Sequence, residues 1–408
     1  MADDHLVLIL AYHFPPENAI GAARPFRFYK YLSRMGFRCH VITAAPVASL
    51  PELDAETVSD PFITSPRTGV GWHIERSIRK VVLPGATGSQ WAVHAYRAAL
   101  RFLEQNERRN ATVFSTYPPL GTPLAAYWLK RRLGLPWIAD FRDPMADNPG
   151  NLELTALTKP TYRKLEQIFI RSADIVIANT DAAQQKLKEE YPDRSERLQL
   201  IWNGFDPEDR LHPLPALSEA RRVLAHVGEL YGGRDVSPVL RSIRRLIDSG
   251  RLSDRSFQVH LVGLVAPGSI PEPEFVAAAE REGWLKLEAD RMPQAQARKL
   301  IQRSESLLLV QPQSAIQVPG KLFEYLQIGR PILAFVPPQS PVERILERSG
   351  VPYRCIYPNA SEETFDGRVL EFLTCSSKGG QPNAWFEEEF NACRHAEKLG
   401  SLIRSIHA

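Results

Sequence analysis

Residues 318–334 read VPGKLFEYLQIGRPILA. Pro319 and Gly320 mark a turn, residues 320–328 carry helical spacing, Gly329 suits the helix exit, and residues 331–337 form an apolar run of strand type. A helix that closes on a glycine and leads straight into a buried strand is the building unit of a parallel sheet wrapped by helices. The same rhythm extends upstream. Short apolar runs stand at 222–228, 257–263, 285–289 and 306–312, with helical patterns at 236–249, 293–303 and 341–348. An earlier series has strand-like runs at 6–12, 39–45, 111–117, 136–141 and 174–180, alternating with amphipathic segments at 22–35, 91–105, 122–133 and 181–190. Between the two series lies IWNGFDPEDRLHPLPALSEA, a Pro-rich stretch suited to a linker. The pattern predicts two α/β domains, residues 1–204 and 205–384, with a terminal helical segment at about 385–408 that packs back onto the first. Residues 46–90 are rich in proline and glycine and read as a long excursion on a rim of the first sheet.

The totals agree with this reading. A chain of 408 residues is too long for one hydrophobic core. Apolar residues at 44% and charged residues at 24% describe an ordinary globular composition. No apolar run approaches the length needed to span a bilayer. The opening MADDHLVLILAY has acids where a secretory leader has basic residues, so it reads as a buried strand. The four cysteines, Cys39, Cys355, Cys375 and Cys393, are scattered without metal-like spacing, which predicts reduced thiols in a cytoplasmic protein. The net charge of +3 is too small to imply a nucleic-acid partner. Residues 1–205 hold 25 Lys+Arg against 21 Asp+Glu, so attraction to an acidic surface belongs to the first half.

Three stretches carry candidate chemistry. In the opening stretch, Lys321 stands in the first helical turn, where backbone N–H groups and the helix dipole favour a phosphate. Glu324 shares its face, and a carboxylate there suits a pair of ribose hydroxyls. The competing reading is an ordinary intrahelical ion pair, worth about 0.2–0.5 kcal/mol. In HVGELYGGRDVSP (226–238) a strand ends at Gly228, a glycine loop follows and Arg234 leads into a helix. An arginine there can fork two phosphate oxygens, although most such loops are only turns. In the first half, Gly21 follows the first strand, and Arg142 and Asp143 stand with Asp140 at the end of another, in ADFRDPM. That cluster suits a reacting group, and equally a turn closed by Asp143 before Pro144. The sequence has neither GxGxxG nor GxxxxGK[ST], which argues against redox dinucleotide and P-loop sites. Its ten histidines form no metal motif, so no metal is expected. Arg24, Arg27, Lys30, Arg34 and Arg38 share one helical face. That stripe could meet anionic lipid headgroups or simply be a solvated outer face.

Taken together, LILAYHFPPENAIGAAR, STYPPLGTPLAAYWLKRRLGLPWIADFRDP, RSADIVIANTD with IWNGFDP, and VPGKLFEYLQIGRPILA resemble glycosyltransferase family 4, the retaining group-1 nucleotide-sugar transferases. The resemblance covers most of the chain. It implies the GT-B fold, two Rossmann-like domains with parallel sheets facing across a cleft, the first binding the acceptor and the second the nucleotide-sugar donor. It makes Arg234 and Lys321 the pair that neutralises the donor diphosphate. Glu324 becomes the ribose ligand, with Gly228, Pro319 and Gly320 shaping that site. Gly21 would approach the donor phosphates, and Asp143 with Arg142 would lie against the donor sugar. Asp143, Arg234 and Lys321 are the expected catalytic set. The implied partners are a nucleoside-diphosphate sugar and a glycan, lipid-linked or small-molecule acceptor, with no cofactor, in polysaccharide or glycoconjugate assembly, and with contact to an anionic membrane face in prospect. One departure stands out: eight positions before Glu324, where the family motif has its first glutamate, this chain has Ile316. A nucleotide-sugar epimerase, a non-catalytic nucleotide-sugar-binding subunit and a redox Rossmann enzyme are the competing readings.

Overall fold

The structure is a computed structural model and describes residues 5–17, 21–47, 50, 52–61, 88–106, 110–148, 154–215, 221–375 and 379–407. It divides into two compact units, Met1–Asp206 with Asn391–Ala408, and Pro207–Phe390. Most of the 46–90 excursion lies outside the described residues.

The first unit is built on a parallel sheet of β1 (Leu6–Leu10), β2 (Arg38–Thr43), β3 (Ala55–Thr57), β4 (Ala111–Tyr117), β5 (Trp137–Phe141), β6 (Ile175–Ala178) and β7 (Leu198–Leu200). Their spatial order is β3-β2-β1-β4-β5-β6-β7. Every residue of β1, β4, β5 and β6 is buried, as expected for strands covered on both faces. On one face pack α2 (Ser89–Gln105), α3 (Gly121–Leu133) and α4 (Lys159–Ser172), which contribute Trp91, Leu103, Leu129 and Phe169 to the core. On the other face α1 (Ala23–Arg34) and the C-terminal helix Ala392–His407 place Phe28, Leu32, Leu399 and Ile403 over β1 and β2. Helix α5 (Asp181–Glu190) starts at Thr180, whose hydroxyl accepts from Ala183 N–H at 3.0 Å. The chain leaves this unit after Asp206 and returns at Asn391, where Ala392 N–H donates to Phe205 O at 3.0 Å.

The second unit repeats the plan with β8 (Arg222–Val227), β9 (Phe257–Val262), β10 (Leu285–Glu288), β11 (Ser306–Val310), β12 (Ile332–Phe335) and β13 (Tyr353–Ile356), in the order β10-β9-β8-β11-β12-β13, all parallel. Counted from its own first strand, this is the 3-2-1-4-5-6 order of dinucleotide-binding folds. Helices α6 (Ser237–Asp248), α7 (Pro273–Glu282), α8 (Gln294–Arg303), α9 (Lys321–Ile328), α10 (Pro341–Ser349), α11 (Glu362–Thr374) and α12 (Ala384–Glu389) cover it. Helix α6 shows why: Val239, Leu240, Ile243 and Leu246 form one buried stripe, and α11 meets the same core through Phe365, Val369 and Leu373.

Both units therefore reverse strand order beside their first strand, between β1 and β4 and between β8 and β11. Such switch points open a crevice at the carboxyl ends of the strands, the usual ligand position in open α/β sheets.

Candidate functional site

In the second unit, the loop leaving β8 and the helix following β11 meet at this crevice. Gly228 has φ +137°, a conformation that side chains rarely adopt, and a Cβ on it would stand 2.3 Å from Lys321 Nζ. Glycine is thus required by both backbone and neighbour. Lys321, the first residue of α9, lays its ammonium across the Gly228 backbone and makes a 3.3 Å contact with His226 Nε2. His226 is fully buried in β8, and its Nδ1 lies 2.9 Å from Leu308 O. A carbonyl only accepts, so Nδ1 carries the proton and Nε2 offers a lone pair to Lys321. Burial, with Lys321 second, pushes the His226 pKa well below its ordinary value and keeps the ring neutral.

Arg234 closes the other side. Its Nε donates to Gln311 Oε1 at 2.8 Å, and its guanidinium carbon stands 4.8 Å from the Tyr231 ring centroid. Burial, followed by the positive charge of Arg234, lowers Lys321 from 10.5 to about 7, against the weaker upward pull of Glu324 and Glu229. Two cations crowded at a strand end with mainly neutral partners form a site poised for a polyanion. Glu324 lies one turn on, with its side chain 35% exposed and 3.5 Å from Arg298 Nε. Arg298, on α8, is itself held by Asp209 at 2.8 Å. The Glu324 carboxylate is therefore oriented from a neighbouring helix, while Lys321 turns to β8. The N–H groups of Leu322 and Phe323 close onto Pro319 O and Gly320 O at 3.0 and 3.2 Å. These two first-turn donors are engaged by the tight helix start itself. Gly320 is exposed, and Ile316 is partly buried.

The first unit uses its charges differently. Arg142 donates from Nε to Tyr117 O at 3.2 Å, from Nη1 to Gly21 O at 2.9 Å and from Nη2 to Pro118 O. It clamps the loops after β1 and β4 together at the switch point, and burial lowers its pKa from the ordinary value. A Cβ on Gly21 would stand 2.9 Å from that guanidinium, so Gly21 is explained by Arg142 itself. These three bonds give Arg142 a positioning role at the switch point. Asp143 follows it, partly buried and acting on Arg142 through its charge. Asp140 is buried and accepts from Arg24 at 2.7–3.2 Å and from Thr116 at 2.9 Å, while Arg24 also donates to Trp202 O and Ile201 O. Of the basic stripe, Arg24, Arg27 and Lys30 are likewise turned to the protein, Arg34 is exposed, and Arg38 is exposed at the start of β2 rather than on α1. Arg24 is in that pair, Arg27 donates to Gly204 O, Lys30 to Asp206 at 2.8 Å, and Arg34 lies over Tyr31. The stripe therefore lends no support to membrane contact.

Sequence reading missed His226, Gln311, Tyr231 and Arg298. His226 was hidden inside RVLAHVG, whose apolar neighbours read only as a buried strand; a histidine amid such a run beside a glycine loop was the available signal. Among the described residues no group of three His, Cys, Asp or Glu side chains could hold a metal ion, and no helix is long and apolar enough to cross a membrane.

Residues 26–209 match the family described as Glycosyltransferase Family 4. No curated protein matches the sequence. Among solved structures, the chain is similar to sucrose-phosphate synthase from Thermosynechococcus elongatus (12% identity, 99% of each chain, TM-score 0.64). It is also similar to HepE of Anabaena in complex with UDP and glucose (16% identity, 98% of this chain and 99% of that one, TM-score 0.56). A third is the catalytic domain of starch synthase IV from Arabidopsis thaliana bound to ADP and acarbose (11% identity, 100% of each chain, TM-score 0.59). At these identities the structures speak for the fold, which is GT-B, and the family match, over residues 26–209, is to a glycosyltransferase family.

Proposed function

We propose that the protein transfers a sugar from a nucleoside-diphosphate sugar to an acceptor hydroxyl with retention of anomeric configuration. The observation that carries this reading is the convergence of Lys321 and Arg234 beside Gly228 at the β8–β11 switch point. Two cations there match the two phosphates of a donor, and the absent Cβ leaves room for the Lys321 ammonium against the Gly228 backbone. Glu324, oriented by Arg298, is placed to accept from ribose hydroxyls. The second unit is accordingly assigned the donor and the first the acceptor.

In this mechanism the acceptor oxygen attacks the anomeric carbon on the face that the diphosphate is leaving. The carbon–oxygen bond to the β-phosphate breaks as the new glycosidic bond forms. The acceptor proton passes to the departing phosphate oxygen, so no strong protein base is needed. Lys321 and Arg234 stabilise the charge that grows on the leaving diphosphate. Asp143 and the Gly21 loop, fixed by Arg142, are candidates for contact with the transferred sugar. With Ile316 in place of the family's glutamate, sugar contacts in the second unit fall to the backbone of residues 317–320. The resemblance of residues 115–144 to transferases of surface polysaccharides supports a glycan or glycoconjugate acceptor.

Isothermal titration with UDP, ADP, GDP and dTDP tests the donor site. One of them should bind, and its sugar conjugate should release that diphosphate when a hydroxyl acceptor is added. Silence from all four would overturn the reading. Retention is read by NMR of the product's anomeric proton, and an inverted product would remove that part.

A further inference from the structure

We propose that His226 is a positioning residue that aims the Lys321 ammonium at the donor diphosphate, acting as a neutral Nδ1–H imidazole whose Nε2 lone pair accepts from Nζ. This rests on the donor-site reading above and adds a residue that does not itself touch the ligand. Three observations fix the arrangement. Nδ1 is committed to Leu308 O on β11 at 2.9 Å, so the tautomer is set by the adjacent strand. Nε2 faces Lys321 Nζ at 3.3 Å. His226 is fully buried, so the ring cannot swing away, and Nζ is held on the Gly228 side of the crevice.

The chemistry explains why a histidine serves here. A lysine head group has three donors on a flexible stem and otherwise samples many rotamers. A carboxylate behind it would fix it but would neutralise the charge meant for phosphate. A neutral imidazole fixes the direction of one N–H and leaves the full charge and two donors for a ligand. The groups that bear on Lys321 from the surrounding elements are His226 from β8, Arg234 and Glu229 from the loop after β8, and Glu324 from its own helix. Burial and Arg234 disfavour the ammonium, and the Nε2 lone pair works against them. Removing that lone pair should make Lys321 lose its proton at lower pH.

Two substitutions separate positioning from packing. His226→Asn keeps a short amide donor toward Leu308 O and removes the acceptor facing Lys321; His226→Gln restores an acceptor oxygen at that reach. The first readout needs no ligand: acylation of Lys321 followed by peptide mass spectrometry across pH. The Lys321 titration should shift to lower pH in His226→Asn and return toward wild type in His226→Gln. The second is titration with whichever of UDP, ADP, GDP or dTDP binds wild type, beside its monophosphate. His226→Asn should weaken the diphosphate by about tenfold, the worth of one hydrogen bond to a charged group, and leave the monophosphate nearly unchanged. An unshifted Lys321 titration, or equal losses for diphosphate and monophosphate, would overturn the proposal. If wild type binds no diphosphate, the donor reading fails first, and the acylation profile still decides whether His226 governs Lys321.

Discussion

The carboxyl ends of the two sheets hold their cations in opposite conditions. At the β1–β4 crevice, Arg24 has Asp140 and two carbonyls, and Arg142 has three carbonyls. At the β8–β11 crevice, Lys321 and Arg234 oppose each other across partners that carry no charge: an imidazole lone pair, an amide oxygen and an aromatic face. The sequence shows arginines, lysines and acids at both places, so residue type alone does not distinguish them. What distinguishes them is compensation. A cation whose donors are taken by the protein is part of the scaffold, whereas cations crowded together and partly desolvated store a preference for an anion.

The largest effect should come from the scaffold side. Asp140→Ala leaves Arg24 buried opposite an absent carboxylate, and breaking a buried pair costs about 3–5 kcal/mol. Urea unfolding should show that loss. A variant of near wild-type stability would mean that the first crevice is less compensated than its geometry says, and the contrast would collapse.

Lys321→Met tests the other side and should move two quantities in opposite directions. Diphosphate binding should weaken by roughly 1.5–3 kcal/mol, the range for hydrogen bonds to charged groups. Stability of the ligand-free protein should rise, because a crowded, desolvated charge is removed. The pH dependence sharpens this. Lys321 is lowered in the folded chain from 10.5 to about 7, so between those values the unfolded chain binds the extra proton. Stability then increases with pH across that window, and the gain of the methionine variant over wild type should be greatest below pH 7 and shrink above it. Wild-type diphosphate affinity should run the other way, falling as pH rises above about 7 and Lys321 loses its charge. A melting-temperature series from pH 6 to 9 beside titration calorimetry reads both. A variant less stable than wild type at pH 6 would show that Lys321 is a structural cation after all.

Glu324→Ala should have a smaller and more selective effect. Its side chain is 35% exposed beside Arg298, which Asp209 also holds. Stability should change by no more than about 0.5 kcal/mol, as for most surface substitutions. Nucleoside-diphosphate affinity should drop by roughly 1 kcal/mol while inorganic pyrophosphate affinity stays level, because the carboxylate is assigned to ribose. Equal losses for both ligands would assign Glu324 to the phosphates.

The sheet cores were legible because strands buried on both faces are dominated by apolar residues, as β1 (LVLIL) and β11 (SLLLV) are. The strands that escaped notice are β3 (AET), β7 (LQL) and β13 (YRCI), short edge strands whose pairing comes from a neighbour rather than from their own pattern. At the site, Lys321, Glu324 and Gly228 could be read because turn chemistry and helical spacing are local properties. The duties of Arg142 and His226 could not. Arg142 is defined by carbonyls contributed from two other loops, and His226 by a carbonyl on β11 and a lysine far along the chain. Hydrogen-bond partners of that kind exist only after the sheet has assembled.

The smallest expected effect isolates the role of bare backbone. Gly228 and Gly320 both belong to the candidate site, yet their surroundings differ. Gly228 is held at φ +137° with Lys321 against it, whereas Gly320 has φ −56°, ψ −30° and nothing within 4 Å of where a Cβ would stand. In the folded protein alone, Gly320→Ala is therefore free of strain and should stabilise by about 0.4–1 kcal/mol through the unfolded chain. If Gly320 is glycine only by tolerance, the variant will melt higher and bind the nucleoside diphosphate as wild type does. If a ligand approaches the α9 start closely, the same methyl group, harmless without ligand, will weaken the diphosphate or its sugar conjugate. Weakening of the conjugate alone would place the sugar over residues 317–320, beside Ile316, where the resembled family has a glutamate.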